Sequence, residues 1–170
     1  FPFKILGAQQ DNSAIRISHR SSGNAITERD WEPTAGGESA HLAPDPKNPD
    51  IVYGGTYKGY MNRKDHITGQ SRSTNVWPYN PAGSGVEVMK YRFNWNYPVM
   101  FSPNDPNKLY AGSNHLHDSV TEGQSWRVIS PDLTRNEPHT LKSSGGPITQ
   151  DNTGVEFYGN LFAITESKQE

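Results

Sequence analysis

The sequence predicts an all-β protein built from repeated four-stranded antiparallel units, and both its composition and its periodicity favour this fold. Gly and Pro account for 16 and 13 of the 170 residues and are spread along the chain, which is typical of short strands separated by tight turns. No segment keeps a helical period, and the nearest candidate, residues 86–93, is expected to form at most one turn. With 32% hydrophobic residues, the chain is unusually polar for a closed globule of this size.

A repeat with a spacing of 57 residues defines the unit. Residues 48–55 recur as residues 105–112, with Tyr53 and Tyr110 in equivalent places. In each copy a short strand that ends in proline precedes the repeat, because proline cannot donate to a strand ladder. A polar strand, a turn centred on Gly69 or Gly123 and a final strand follow. Four strands per unit is the composition of one β-propeller blade.

The rest of the chain fits the same scheme. The predicted segments are the last three strands of a blade at 1–35 (strands 4–9, 14–20 and 26–31), a complete blade at 36–78, an insertion at 79–96, a complete blade at 97–135, an inter-blade loop at 136–158 and the first strand of a next blade at 159–170 (strand 160–165). About three blades result, whereas closed propellers have ~4–8. We therefore expect a piece of a larger propeller, whose open strand edges pair with its remaining blades or with other chains. The start at Phe1, without an initiator Met or a signal segment, favours the same interpretation.

Charge and residue usage exclude several classes of function. The formal net charge is -2 with acidic and basic residues interspersed, which argues against a nucleic-acid partner. No apolar run approaches the ~20 residues that span a bilayer, so no membrane insertion is expected. The chain has no Cys, which excludes disulfides and thiolate metal sites. His115, His117 and Asp118 lie close together, but without a second cluster they predict no metal, and no cofactor is expected.

One turn carries a family resemblance. Residues 119–126 read Ser-Val-Thr-Glu-Gly-Gln-Ser-Trp, which resembles the Asp-box of BNR repeats, Ser/Thr-x-Asp-x-Gly-x-Thr/Ser-Trp. In such a hairpin turn, Gly123 would adopt a positive φ and Trp126 would pack under the turn. Thr121 stands where the pattern has Asp, which predicts the loss of one local hydrogen bond. Residues 65–70 are a more distant version of the same turn.

Longer segments resemble one group of proteins. Residues 7–12, 91–95, 130–136 and 145–156 are similar to bacterial sortilin (VPS10)-like and BNR-repeat β-propellers, which are often labelled glycosyl hydrolases. The resemblance implies a secreted or periplasmic protein. It implies no single chemistry, because this fold serves hydrolases, sorting receptors and assembly factors alike.

The candidate binding site follows from blade geometry. In a propeller the loops that lead into the innermost strands form the funnel where ligands bind. The 57-residue alignment places Glu38 opposite Trp95 in this position. The candidate ligand-binding residues are Gln10, Asp11, Asn12, Glu38, Arg92, Asn94, Trp95, Asp151 and Asn152. Amides, carboxylates and one guanidinium suit sugar hydroxyls or peptide termini, although Asn and Asp are also ordinary turn residues that bond the backbone.

Two functions remain open at this point. Glycoside hydrolysis needs two carboxyl groups, for which Glu38 and Glu156 are the weak catalytic candidates, with Asp11 and Asp151 as possible partners. No spacing identifies a pair. The sequence therefore favours a noncatalytic binding or assembly scaffold for a glycan or a peptide; the alternative is a glycoside hydrolase whose site is completed by blades outside this chain. Aromatic side chains that could stack on sugar rings, or pack in the core, are Trp77, Tyr79, Tyr91, Phe93, Trp95 and Tyr97.

Overall fold

Antiparallel sheets follow one another along the chain. The computed structural model describes residues 3–39, 41–80, 83–153 and 157–169. Within these ranges the strands form sheets of three, four, four and two strands, and every neighbouring pair is antiparallel. The all-β fold and the four-stranded antiparallel unit that the sequence predicts are confirmed.

The first sheet has three strands in the order β1-β2-β3. They are β1 (Lys4–Ala8), β2 (Ala14–Ser18) and β3 (Trp31–Pro33). The third strand begins later than the predicted strand at 26–31, because Thr27 starts a 3-10 turn at Glu28–Asp30. The Thr27 N–H donates to Asp30 Oδ2 at 2.7 Å, and the Asp30 N–H donates back to the Thr27 carbonyl at 2.9 Å. This local capping competes with strand formation.

The second and third sheets are the two complete units. Their strands are β4 (Leu42–Pro44), β5 (Ile51–Gly55), β6 (Met61–Asp65) and β7 (Ser71–Ser73), then β8 (Val99–Phe101), β9 (Leu109–Gly112), β10 (Leu116–Ser119) and β11 (Arg127–Val128). Each sheet is a meander in chain order. Leu42 lies opposite Gly54, and Val99 lies opposite Ala111, so the registers of the two sheets coincide at the 57-residue spacing.

The connections contain further short elements. A hairpin of β12 (Ser144–Gly145) and β13 (Gln150–Asp151) lies within the predicted inter-blade loop, and the further 3-10 turns are at Tyr57–Gly59, Val86–Val88 and Pro138–Thr140. Residues 160–165 pair with no strand in the described part of the chain, although the Leu161 N–H donates to the Ser113 carbonyl at 2.8 Å. None of the helical turns in the described ranges has the length and apolar character of a membrane span.

The apolar core lies between the second and third sheets. The buried cluster consists of Ala43, Ile51, Tyr53, Met61, Val76, Phe93, Tyr97, Val99, Leu109 and Ala111. Tyr53 meets Phe101 edge to face at a centroid distance of 5.5 Å. Tyr97 packs directly on β5, where a Cβ added at Gly55 would come within 2.9 Å of its ring. The two sheets therefore stack face to face, as neighbouring blades do.

An ion pair joins the first sheet to the second. Arg16 on β2 is only 6% exposed. Its Nε donates to Glu32 Oε2 at 2.6 Å, and its Nη1 donates to Asp50 Oδ1 at 2.9 Å. Asp50 directly precedes β5. The contact between these two sheets thus depends on charge, whereas the next one depends on apolar packing.

The Asp-box-like turn keeps its hydrogen bonds. Ser119 Oγ accepts the Gly123 N–H at 2.9 Å, and Thr121 Oγ1 accepts the Ser125 N–H at 3.0 Å. The threonine hydroxyl therefore still serves as an acceptor, contrary to the loss that the missing Asp predicts. Gly123 has a φ of 73°, as expected, and Trp126 Nε1 donates across to the Thr74 carbonyl at 3.0 Å. The turn of the third sheet is thereby fastened to the second sheet.

Substitutions at two equivalent glycines can distinguish the cost of backbone strain from the cost of a steric clash. Gly69 and Gly123 both have a φ of 73°, but a Cβ at Gly123 would lie 2.8 Å from Thr74 Cβ, whereas a Cβ at Gly69 has nothing within 4 Å. We expect Gly69→Ala to lower the free energy of unfolding by about 1 kcal/mol through strain alone. Gly123→Ala should cost about 1–3 kcal/mol more, because Thr74 is buried and must move. Urea unfolding of both variants measures the difference, and equal losses would contradict the tight inter-sheet contact.

Candidate functional site

All the predicted site residues that the structure describes lie at one end of the sheets, here called the upper face. Successive connections of a meander alternate between the two ends of a sheet, so the upper face comprises the connections at 9–13, 34–39, 56–60, 74–80, 83–98, 113–115 and the described residues of 129–161. Residues 166–167 reach the lower end, where they accept hydrogen bonds from Asn104. The Asp-box-like turns lie at the opposite end. Glu156, one of the two weak catalytic candidates, falls outside the described residues.

A groove of about 570 Å³ runs between the first and second sheets. Residues of β1 form one wall, and the start of β4 forms the other; its lining is Leu6, Gly7, Ala8, Ser39, His41, Leu42 and Asn96. Burial lowers the pKa of His41 from its usual value. The imidazole is therefore neutral near pH 7, so the groove carries no fixed positive charge from this residue.

Asp11 and Glu38 are brought together near this groove. The Asp11 N–H donates to Glu38 Oε2 at 2.7 Å, which ties the β1–β2 turn to the chain leading into β4. Asp11 has a φ of 60°, a conformation that Asp tolerates in turns. Gln10 and Asn12 flank it and are exposed. The 57-residue alignment predicts Glu38 on the funnel side of the blade. In the structure Glu38 lies beside the predicted residues 10–12, and its carboxylate accepts a hydrogen bond from the Asp11 backbone amide.

Arg92 is the centre of a buried polar network. It is 5% exposed, and its Nη2 donates to Asp132 Oδ2 and to Thr134 Oγ1, both at 2.9 Å. Its Nε donates to the Gly159 carbonyl at 2.8 Å. The guanidinium therefore fastens residues 132–134 and 159 to the insertion. Every contact of this guanidinium is with the chain itself, which gives Arg92 a positioning role.

The network also holds Asp132 in its charged form. Burial alone would raise the pKa of Asp132, but hydrogen bonds from Thr134 and Asn114, together with Arg92, hold it well below its usual range. The Asn114 Nδ2 donates to Asp132 Oδ2 at 2.8 Å, while Asn114 Oδ1 accepts the Arg92 N–H at 3.0 Å. One carboxylate thus organises three segments of the upper face.

The remaining candidates occupy different places. Trp95 is half-buried, with its ring centroid 5.9 Å from that of Tyr57, and Asn94 beside it is also half-buried. Asp151 and Asn152 lie on and after the β12–β13 hairpin and line a smaller cavity of about 100 Å³ near Gly85. The nine candidates therefore share a face of the molecule but do not surround a single pocket.

One exposed and two half-buried aromatic side chains form a patch on the same face. Trp77 is 42% exposed and meets Tyr91 edge to face at 5.9 Å. Lys90 Nζ lies 3.6 Å from the centroid of the Trp77 ring, a cation–π contact. Tyr79 and Lys58 complete the surface, named here the aromatic patch: Lys58, Trp77, Tyr79, Lys90 and Tyr91.

The sequence identified the aromatic members of this patch but not its two lysines. Lys58 is equivalent to His115 at the 57-residue spacing, a signal that could have placed it on this face. Lys90 belongs to the insertion and has no repeat partner. Phe93 and Tyr97, also named as possible stacking residues, are 5% and 1% exposed and belong to the core.

The two histidines of the third sheet have structural partners. His117 is 1% exposed, and its Nε2 lies 2.7 Å from Ser113 Oγ. Burial, aided by the nearby His115, lowers the pKa of His117 to about 4. Asp118 binds Arg127 through both carboxylate oxygens, at 2.9 and 2.6 Å. In the described ranges, no three or more His, Asp and Glu side chains are arranged to hold a metal ion.

Comparison with known proteins adds no family to these observations. The chain matches no protein-family model, and no curated protein is significantly similar to it.

Acidification should reduce the stabilisation that the Asp132 network provides. Because the pKa of Asp132 is lower in the folded chain than the value of about 3.9 in an unfolded one, its stabilising effect is complete above that value, declines as the pH falls below it and is lost as the pH falls through the lower pKa of the folded chain. We expect the free energy of unfolding to drop from pH 5 to pH 3 in the unaltered chain and to vary less in Asp132→Asn. Urea unfolding at pH 5, 4 and 3 measures this. As a control, Asp30→Asn at an exposed 3-10 turn should keep the drop; parallel profiles for Asp132→Asn and the unaltered chain would contradict the assignment.

Proposed function

We propose that the chain is part of a β-propeller scaffold that binds a glycan, or a peptide, without catalysis. The observation that carries this proposal is the aromatic patch, which places an exposed Trp between two Tyr residues and two Lys residues on the upper face. Aromatic rings stack on the apolar faces of sugars, while ammonium groups donate to hydroxyl or carboxylate oxygens. The stacked four-stranded sheets support the scaffold part of the proposal.

The buried network makes the patch a preorganised surface. Arg92 adjoins Tyr91 in the chain, and its four side-chain and backbone bonds hold this part of the insertion in place. Phe93 and Tyr97 anchor the same segment in the core, where their rings meet at 4.9 Å. A ligand that stacks on Trp77 and Tyr91 therefore orders little of the protein on binding, which favours affinity.

Trp77→Ala should weaken ligand binding about tenfold, the effect of losing one aromatic stacking surface. The intact protein is first tested on a glycan array and on a peptide array, and the ligand found there is titrated by calorimetry. Ile67→Ala is the control, because Ile67 is 76% exposed and lies in the turn between β6 and β7 at the opposite end of the sheets. No binding on either array would reject the proposal, and an equal loss in both variants would reject the patch as the site.

Glycoside hydrolysis is the second candidate, and one observation favours it. Asp11 and Glu38 adjoin each other beside the groove between the first two sheets. Two carboxyl groups at such an edge could act on a sugar once the neighbouring blades complete the site. The hydrogen bond from the Asp11 amide gives Glu38 a structural use as well, so the binding scaffold remains the better supported function.

Glu38→Gln separates the two functions. The amide oxygen of Gln can still accept the Asp11 N–H, so the turn should stay in place while the carboxylate is lost. A binding scaffold predicts unchanged ligand affinity and no polysaccharide hydrolysis before or after the substitution. Hydrolysis by the intact protein that falls by more than 100-fold in Glu38→Gln, but not in the exposed control Glu28→Gln, would favour the enzyme instead.

A further inference from the structure

Backbone N–H and C=O groups on the outer edge of β1 are arranged so that a further antiparallel strand could pair with them. The Gln9 N–H donates to the Ser13 carbonyl at 3.2 Å, so the odd-numbered residues of this hairpin bond across to β2. By alternation, the N–H and C=O groups of Lys4, Leu6 and Ala8 point away from β2. No strand of the described ranges pairs with them.

The other two sheets use the equivalent groups to bind an inner strand. In the second sheet, the Gly55 N–H donates to the His41 carbonyl at 3.3 Å; in the third, the Gly112 N–H donates to the Pro98 carbonyl at 3.0 Å. Ala8 is the equivalent of these two glycines, at spacings of 47 and 104 residues. The edge of β1 therefore matches the edges that β4 and β8 occupy elsewhere.

The groove between the first two sheets has the location of such an inner strand. Its walls are Leu6, Gly7 and Ala8 of β1 on one side and Leu42 at the start of β4 on the other. In the complete pair of sheets, the inner strands β4 and β8 lie against each other. A strand on the edge of β1 would lie against β4 in the same way.

A segment of this chain has the character of an inner strand. Leu161 packs on β9, because a Cβ added at Gly112 would lie 3.4 Å from Leu161 Cβ. Tyr97, shortly before β8, packs on Gly55 in the same way. Asn160 then corresponds to Asn96, at a spacing of 64 residues. The Leu161 N–H is anchored by the Ser113 carbonyl at 2.8 Å, whereas the next side chain, Phe162, is 73% exposed.

We propose that residues 160–166 of one copy of this chain add as an antiparallel strand to the edge of β1 in a second copy. The register follows from β8 on β9, where Pro98, Met100 and Ser102 lie opposite Gly112, Tyr110 and Lys108. The equivalent pairs are Phe162 with Ala8, Ile164 with Leu6 and Glu166 with Lys4. Within the chain Lys4 binds Glu32 and Glu166 binds Asn104, so the register follows from the backbone pattern and not from this pair of charges.

The association also covers apolar side chains at both ends of the chain's sheets. Ile5 and Trp31 on the outer face of the first sheet are 52% and 48% exposed, while Met100 and Tyr110 lie on the outer face of the third sheet, opposite its core-facing Val99 and Ala111. Stacking the third sheet of one copy on the first sheet of the next would bury them, as the second and third sheets bury theirs.

Cross-linking tests the register directly, because the chain has no Cys of its own. Ile5 and Thr165 would form a non-hydrogen-bonded pair, equivalent to Leu109 opposite Phe101, whose Cβ separation suits a disulfide. Single variants Ile5→Cys and Thr165→Cys, one of them carrying a large tag, are mixed and mildly oxidised. We expect the mixed disulfide dimer to form at least tenfold faster than with Ile164→Cys, which lies one residue out of register on the other side of the strand.

The unaltered chain gives an independent readout. Light scattering should give twice the monomer mass of 18.9 kDa, and Phe162→Asp should lower that mass without changing the circular dichroism spectrum. A monomer at every concentration would overturn the proposal. So would equal rates of cross-linking for Thr165→Cys and Ile164→Cys. None of these measurements involves a glycan or peptide, so the result is independent of the proposed binding function.

Discussion

Tyr97 packed on Gly55 is the contact on which the arrangement of the second and third sheets depends. Any side chain at Gly55 would collide with the ring, so the glycine allows Tyr97 to reach the backbone of β5. The Tyr97 hydroxyl then donates to the Tyr60 carbonyl at 2.7 Å, which links the ring to the connection between β5 and β6. Because Phe93 packs on the same ring, this contact also determines where the insertion leaves the sheets. The position of the aromatic patch is therefore a consequence of core packing.

The two interfaces between the sheets differ in kind. The second and third sheets share an apolar cluster, whereas Arg16, Glu32 and Asp50 join the first sheet to the second. Burial opposes ionisation of Glu32, yet hydrogen bonds from Lys4 and Arg16 lower its pKa overall. A partly exposed ionic contact is weakened by salt and by acid, while apolar packing is affected much less. The ionic part of the first sheet's attachment therefore responds to salt and acid, while the contacts of Gly36 with Asn62 and of Ala35 with Gly54 at the same junction carry no charge.

The fold was predictable from the sequence because the chain repeats. The site was less predictable because the contacts between its side chains join segments outside the repeat. The 57-residue spacing located both complete sheets and placed Glu38 at the same end of the sheets as Trp95, because equivalent residues in a repeat occupy equivalent places. It could not show that Arg92 is buried, since its partner Asp132 lies 40 residues away in a connection with no repeat equivalent. The contact of Lys90 with Trp77 was equally hidden, because Lys90 belongs to the insertion, which has no repeat equivalent. The late start of β3 reflects a local capping preference that outweighed strand propensity.

The two equivalent turns of the second and third sheets differ in the chemistry of their acceptors. At the first turn, Asp65 Oδ1 accepts the N–H groups of Ile67 and Thr68, and the Thr68 amide is the main reason why the pKa of Asp65 is lowered. At the second, the equivalent residue is Ser119, whose hydroxyl accepts the N–H groups of Thr121 and Gly123 and does not titrate. A carboxylate acceptor is lost on protonation, but a hydroxyl acceptor is not. Acid therefore removes the carboxylate acceptor at the turn of the second sheet, while the hydroxyl acceptor at the turn of the third keeps its hydrogen bonds.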